Sequence, residues 1–201
     1  MYSDPKSVKR VSSLGAGPIG GGWTAHFLAR GYEVTSYLHD EDETDAFMSI
    51  LNTAWVSLTD LGLSEGASLD RLRIVTDLEE ALEGAEFVQE SGPERLEIKQ
   101  LLYAKMGAIL PPSVIIGSST SGLMMSDIQA DCTTPERTVI GHPFNPPYLL
   151  PLVEIVGGNK TAPEAVAWAG DFYKIAGKAP LMMKKEIPGF VATRLQEALW
   201  R

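Results

Sequence analysis

The 201-residue chain combines 44% hydrophobic with 21% charged residues, the balance of one globular domain, which excludes a disordered protein. Its net charge of −9 disfavours nucleic acid and anionic membranes as partners, because a carboxylate-rich surface repels phosphate. Cys132 is the only cysteine, which excludes an internal disulfide. The sequence shows neither an apolar signal segment nor a membrane-spanning stretch. We therefore expect a cytoplasmic protein.

Short β-type apolar runs alternate with helical patterns along the chain. We predict strands at 8–14, 33–37, 72–75, 85–89, 114–118, 138–141, 152–156 and 179–183, and helices at 19–30, 42–61, 94–108 and 161–175. A capping box, Thr161 to Glu164, is expected to start the last of these helices. This alternation predicts a Rossmann-type α/β fold: a doubly wound, mostly parallel sheet with helices on both faces.

The pattern changes near the C-terminal end of the chain. Pro188 introduces a helical pattern whose apolar stripe has no partner within the sequence. We therefore assign 1–187 to the sheet domain and 188–201 to the first helix of a C-terminal helical domain that is truncated or missing.

A glycine-rich loop follows the first predicted strand and opens the first helix. Gly15, Gly17 and Gly20 match GxGxxG, in which the glycines permit the turn, the close approach of a pyrophosphate and the packing of helix on strand. Pro18 and Ile19 complete the loop, whose helix N-terminus offers free N–H groups to an anion. A purely structural glycine turn is the alternative, but the strand–turn–helix context favours a dinucleotide site.

The segment after the second strand indicates which dinucleotide is bound. The usual ribose-binding acid is replaced by Leu38, and Asp40 is the expected substitute. Residues 31–70 contain no Lys or Arg, and five acids lie between Asp40 and Asp45, so a 2′-phosphate would meet only repulsion. We predict NAD rather than NADP. The acidic run itself is interpreted as a solvated helix start, and no metal is expected.

Polar residues also cluster where later strands are expected to end. A Ser-Ser-Thr-Ser run covers 118–121, His142 lies in a Gly-His-Pro-Phe-Asn-Pro-Pro run, and Glu154 follows His142 by 12 residues. A histidine with a carboxylate partner suits a general base and its orienting group. A hydrogen-bonded structural histidine is the alternative that these residues leave open.

Together these motifs resemble the 3-hydroxyacyl-CoA dehydrogenase family of NAD enzymes, over nearly all of 8–201. The resemblance rests on the glycine loop, Glu90 with Glu94 and Lys99, the 118–121 run, the His142 run, Leu152-Val153-Glu154 and Pro188-Gly189-Phe190. Residues 142–151 and 194–197 are most similar to the carnitine 3-dehydrogenase and lambda-crystallin branch. The family implies a Rossmann domain followed by a helical domain through which two copies form a homodimer.

The resemblance also implies a role for each matching residue. His142 would accept the proton of a substrate 3-hydroxyl as hydride passes to the nicotinamide, and Glu154 would hold the imidazole. Ser121 would hydrogen-bond the substrate oxygen, and Asn145 would fix the loop or the carboxamide. Thr193 stands where the family has asparagine and is taken as a further substrate contact. Cofactor contacts are implied for three more residues, Glu94, Lys99 and Ser119.

We therefore predict an NAD-dependent oxidoreductase that converts the 3-hydroxyl of a small 3-hydroxy acid, carnitine first, to the 3-oxo product. Residues 31–70 offer no positive charge to the phosphates of coenzyme A, whereas Tyr37 and Trp55 are candidate aromatic faces for a cation. The alternative within the family is an L-3-hydroxyacyl-CoA dehydrogenase acting on CoA thioesters.

Two further classes of function are weighed against a dehydrogenase. A non-catalytic, crystallin-like structural protein would not need Ser121, His142 and Glu154 together. A Ser-His-Glu hydrolase is disfavoured because Ser121 lies in Thr-Ser-Gly rather than in a G-x-S-x-G elbow, and because the glycine loop would be unexplained.

Overall fold

Eight strands form one sheet in the computed structural model, which describes residues 2–201. They are β1 (Arg10–Leu14), β2 (Glu33–Tyr37), β3 (Leu72–Val75), β4 (Phe87–Glu90), β5 (Ile115–Ser118), β6 (Thr138–Pro143), β7 (Leu152–Gly157) and β8 (Ala179–Met182). Their order is β3-β2-β1-β4-β5-β6-β7-β8, and every neighbouring pair is parallel except β6 and β7. The predicted Rossmann-type, mostly parallel sheet is confirmed.

Helices cover both faces of this sheet. They are α1 (Pro18–Ala29), α2 (Thr44–Leu61), α3 (Leu78–Leu82), α4 (Leu96–Ile109), α5 (Met125–Ile128), α6 (Pro163–Ile175) and α7 (Phe190–Trp200). Helices α1, α2 and α6 pack around one apolar cluster, while α3, α4 and α5 pack around the other. The sequence did not predict α3 and α5, because segments of 5 and 4 residues are too short to show a helical period.

Aromatic side chains dominate the cluster beneath α1. The ring of Phe87 lies 4.2 Å from that of Phe172, and Trp23 stacks on Phe27 at 5.2 Å. Full burial of such side chains stabilises the fold by about 1.5–3 kcal/mol each. This packing holds α1 firmly against the sheet, and with it the glycine loop.

Two predicted details are wrong in the structure. Thr161 does not cap α6, whose first flanking residue is Ala162; the Thr161 hydroxyl instead donates to the carbonyl of Thr138 at 2.7 Å and ties the loop to β6. Strand β6 also does not stop at Gly141. It continues through His142 because the antiparallel partner β7 extends the ladder to that point.

The last helix is the one predicted after Pro188. Helix α7 begins at Phe190, which is fully buried in the cluster of α3, α4 and α5, whereas Leu195, Leu199 and Trp200 are exposed. The domain boundary at residue 187 remains a prediction. None of the helices among residues 2–201 combines the length and apolarity needed to cross a bilayer.

Candidate active site

The glycine loop lies where the order of the sheet reverses. Strand β1 pairs with β2 on one side and β4 on the other, and the crevice at this point of an open α/β sheet is where ligands bind. Gly15 has φ +124°, and a Cβ there would collide with the carbonyl group of Ser91. A Cβ on Gly20 would likewise meet the carbonyl of Gly15. These two glycines are therefore required by the protein's own packing.

Gly17 differs from its two neighbours in the motif. It flanks the first turn of α1 with φ −73°, and a Cβ placed on it would meet no atom within 4 Å beyond the two adjacent residues. Nothing in the described fold therefore requires a glycine at this position, whereas close approach of a pyrophosphate does. The loop fits a dinucleotide for this reason, and Pro18 and Ile19 form the first turn above it.

His142 and Glu154 meet across the one antiparallel pair of the sheet. They are register partners in the β6–β7 ladder, and His142 Nδ1 lies 2.7 Å from Glu154 Oε2. Glu154 is fully buried, and His142 is 9% exposed. Because a carboxylate can only accept, Nδ1 carries the proton and Nε2 of the neutral ring is free to accept one.

The second oxygen of Glu154 binds the start of α7. Oε1 accepts the N–H groups of Val191 at 2.9 Å and Ala192 at 3.0 Å. Burial alone would raise the pKa of Glu154, but the hydrogen bonds from His142 and from these two N–H groups outweigh it and leave the pKa below its usual value. Glu154 is therefore an ionised anchor that links the imidazole to α7.

A cavity of about 630 Å³ opens in front of His142. Most of the predicted site residues line it: Ile19, Glu94, Lys99, Ser119, Ser121, His142, Asn145 and Thr193. Its wall also includes Ser91, Phe144 and Gln196, which the sequence analysis did not single out. The ends of three strands (β4, β5 and β6) and the starts of α1, α4 and α7 thus converge on one space.

Glu94 organises the turn that carries Ser121. Its Oε1 accepts the Thr120 hydroxyl at 2.6 Å and the N–H of Ser121 at 2.9 Å. The N–H of Gly122 lies 3.1 Å from the same oxygen. The Thr193 hydroxyl donates to the carbonyl of Ser121 at 3.5 Å, so α7 also contacts this turn. The structure thereby brings together the two residues proposed to contact substrate.

Lys99 has a buried partner, Glu90, for which the sequence analysis predicted no site role. Its Nζ lies 2.6 Å from Glu90 Oε1 and 3.9 Å from Glu94 Oε2, and it is 1% exposed. The Ser118 hydroxyl donates to Glu90 Oε2 at 2.7 Å, and the N–H of Gly92 donates to Oε1 at 2.6 Å. A buried pair satisfied in this way rigidifies the cavity wall. The cofactor contact implied for Lys99 stays a prediction.

Asp40 lies apart from this cavity. Its carboxylate caps the short 3₁₀ helix Glu41–Glu43 by accepting the N–H of Asp42 at 3.0 Å, while Leu38 is fully buried. Oδ1 of Asp40 therefore has a structural role. The contact of Asp40 with the ribose stays a prediction, and it would have to be made by Oδ2.

Lys178 holds the loop that contains Asn145, a function that the sequence pattern did not reveal. Its Nζ donates to the carbonyls of Pro147 and Leu150 and lies 5.0 Å from the centre of the Trp23 ring. Burial, together with the charge of Arg30, lowers the pKa of Lys178 to about 7. Only the tertiary fold brings the beginning of β8 beneath this loop.

The cofactor preference gives a first testable prediction. NADP should bind much more weakly than NAD, because its 2′-phosphate would approach an acidic segment, 40–45, that lacks any Lys or Arg. Titration of the chain with both dinucleotides at low ionic strength measures the difference, and added salt should narrow it. Equal affinities would contradict this explanation.

Comparison with known proteins agrees with the geometry. Residues 10–187 match the 3-hydroxyacyl-CoA dehydrogenase, NAD binding domain. L-carnitine dehydrogenase of Streptomyces coelicolor is 56% identical over 99% of this chain and 63% of its own length, and that of Pseudomonas putida is 50% identical over 96% of this chain and 60% of its own length. The chain thus spans about three fifths of the length of these curated relatives.

Solved structures show the same fold. 5-Formyl-3-hydroxy-2-methylpyridine 4-carboxylic acid 5-dehydrogenase, an NAD⁺-dependent dismutase, superimposes with a TM-score of 0.89 at 34% identity, over 96% of this chain and 63% of that one. 3-Hydroxybutyryl-CoA dehydrogenase of Escherichia coli gives a TM-score of 0.84 at 31% identity, over 92% of this chain and 40% of that one. The chain therefore belongs to the 3-hydroxyacyl-CoA dehydrogenase family, and its cofactor is NAD.

Proposed function

We propose that the whole protein is an NAD-dependent dehydrogenase that oxidises the 3-hydroxyl of a small 3-hydroxy acid, with carnitine as the first candidate. The observation that carries this proposal is that His142, held by the buried Glu154, lines the cavity beside the glycine loop, with hydroxyl groups on the adjoining turn. The relatives named L-carnitine dehydrogenase, at up to 56% identity, support the choice of substrate.

His142 is the proposed base. Its Nδ1–H donates to Glu154, which leaves Nε2 to accept the proton of the substrate hydroxyl. The imidazolium that forms is stabilised by ionised Glu154, which does not itself need to take the proton. NAD, when bound, supplies the hydride acceptor. The hydride from the broken C–H bond thus passes to NAD, and the proton from the broken O–H bond passes to His142 Nε2.

Ser121 and Asn145 are the proposed positioning groups. The Ser121 hydroxyl lies 3.4 Å from Glu94 and borders the cavity, where it can hydrogen-bond the substrate oxygen. Asn145 follows β6 on the same wall and offers an amide to the cofactor or the loop. Thr193 replaces the family asparagine with a shorter donor and acceptor, which leaves more room beside Ser121.

The charge pattern of the protein favours a small cationic hydroxy acid over a CoA thioester as substrate. Residues 31–70, which include the acidic segment 40–45, contain no Lys or Arg that could bind the phosphates of coenzyme A. Tyr37 and Trp55 do not supply the cation face considered above, because both are half-buried against the core and lie outside the cavity lining. The proposal therefore rests on the charge pattern and on the relatives rather than on an aromatic cage.

Steady-state kinetics test this choice of substrate. In a chain that carries the remaining C-terminal length of the relatives, kcat/KM with NAD should be higher for carnitine than for 3-hydroxybutyryl-CoA. The reverse order would establish the CoA alternative. No turnover of carnitine or of the CoA thioester would favour the crystallin-like structural role.

We also propose a cytoplasmic homodimer formed through the C-terminal helical domain. The exposed Leu195, Leu199 and Trp200 on α7 support it, because a cluster of exposed apolar side chains is usually covered by a partner. Sedimentation of the longer chain, with and without charged replacements at these positions, measures the oligomeric state.

A further inference from the structure

A line of buried hydrogen bonds runs from the core beneath α6 to the cavity wall. The Tyr173 hydroxyl donates to Gln89 Oε1 at 2.5 Å, and Gln89 Nε2 donates to Ser119 Oγ at 2.8 Å. Ser119 Oγ in turn lies 2.8 Å from Ser91 Oγ. Tyr173 and Gln89 are fully buried, whereas Ser119 and Ser91 border the cavity.

Two neighbours fix the direction of these hydrogen bonds. Gln89 Nε2 also points at the carbonyl of Gly141, 3.5 Å away, and a carbonyl can only accept, which sets the orientation of the amide. Trp23 Nε1, which can only donate, lies 3.1 Å from Ser119 Oγ. Both lone pairs of Ser119 are therefore occupied by N–H donors. Its single hydroxyl hydrogen must go to Ser91 Oγ.

Ser91 is left with its own hydrogen to donate. Among residues 2–201, Ser91 Oγ has no side-chain or main-chain partner other than Ser119. It lines the cavity between the glycine loop and Glu94, and its carbonyl group packs against Gly15. Because Ser119 already donates to it, the Ser91 hydroxyl faces the cavity as a preset donor.

We propose that Ser91 donates a hydrogen bond to an acceptor oxygen of the bound dinucleotide, and that Gln89 and Ser119 set this direction. Phosphate, ribose and carboxamide oxygens of NAD are all acceptors. Glu94 on the same wall is a carboxylate and, when ionised, offers them no hydrogen. Ser91 therefore supplies a neutral hydrogen-bond donor on the same wall as this carboxylate. The inference rests on NAD as cofactor and does not depend on the identity of the substrate.

NAD titration of the chain tests the role of Ser91 without any substrate. Ser91→Ala should raise the Kd for NAD about threefold to tenfold, the size of one neutral hydrogen bond. Ser91→Thr should bind more tightly than the isosteric Ser91→Val, because that pair differs only in the hydroxyl. Ser12→Ala is the matched control: it removes a buried hydroxyl that donates to the carbonyl of Ala81 at 2.5 Å, and should lower the thermal midpoint without changing Kd.

A double-mutant cycle tests the direction of the chain. Gln89→Met removes one N–H donor from Ser119, so Ser91 is no longer forced to donate outward, and Kd should rise although Gln89 is buried. In the Ser91→Ala background the same change should have little further effect. Identical affinities for the Thr and Val variants would overturn the proposal, as would fully additive effects of Ser91→Ala and Gln89→Met. If Gln89→Met does not fold, the Thr and Val pair alone decides.

Because these titrations contain no hydroxy acid, their outcome is separate from that of the proposed function. Suppose that Ser91→Ala binds NAD more weakly while the longer wild-type chain does not oxidise carnitine. That result would support Ser91 as a hydrogen-bond donor to NAD and contradict carnitine as the substrate.

Discussion

Replacement of His142 by alanine is expected to lower kcat for hydroxyl oxidation at least about a hundredfold, the lower range of a general-base contribution. The loss should fall on kcat more than on the Kd for NAD, because Nδ1 is bound to Glu154 and the proposed task of the remaining nitrogen, Nε2, is proton transfer. The measurement is steady-state oxidation by the longer chain.

Two companion variants separate catalysis from structure. Glu154→Gln should also slow oxidation, because a neutral amide stabilises the imidazolium less and can present its N–H₂ to the N–H groups of Val191 and Ala192. His39→Ala, at an exposed histidine, is the control and should leave kcat unchanged. Near-normal turnover in His142→Ala would show that another group is the base.

Replacement of Gly17 by valine is expected to abolish measurable NAD binding while the domain stays folded. The side chain would enter the space that a pyrophosphate needs, but its Cβ would meet no atom within 4 Å beyond the two adjacent residues, and φ −73° suits any residue. Dinucleotide titration measures the binding, and thermal unfolding of the free chain measures stability.

Gly15→Val is the contrasting variant for this experiment. At φ +124° and against the carbonyl of Ser91, a side chain strains the fold itself, so both stability and binding should be lost. Unchanged NAD affinity in Gly17→Val would show that the pyrophosphate does not pass over this residue.

The sequence by itself determined the features that depend on local chemistry. The strand–turn–helix context of Gly15 to Gly20, the apolar period of α2 and the absence of positive charge from 31 to 70 are all readable along the chain. His142 and Glu154 could also be chosen as candidates from the sequence, because residue type and the spacing of motifs do not depend on the fold. The Rossmann-type sheet follows from the same alternation of strands and helices.

Only the tertiary structure decided how these groups act on one another. The β6–β7 register sets His142 opposite Glu154, and the start of α7 occupies the second oxygen of that carboxylate. Lys99 was predicted as a cofactor contact, but its shortest ion pair is with buried Glu90. The direction of the hydrogen bond at Ser91 depends on Ser119 after β5 and on partners from β4, β6 and α1. Such contacts join residues far apart in the chain, and strand order and burial create them, so no local period or spacing encodes them.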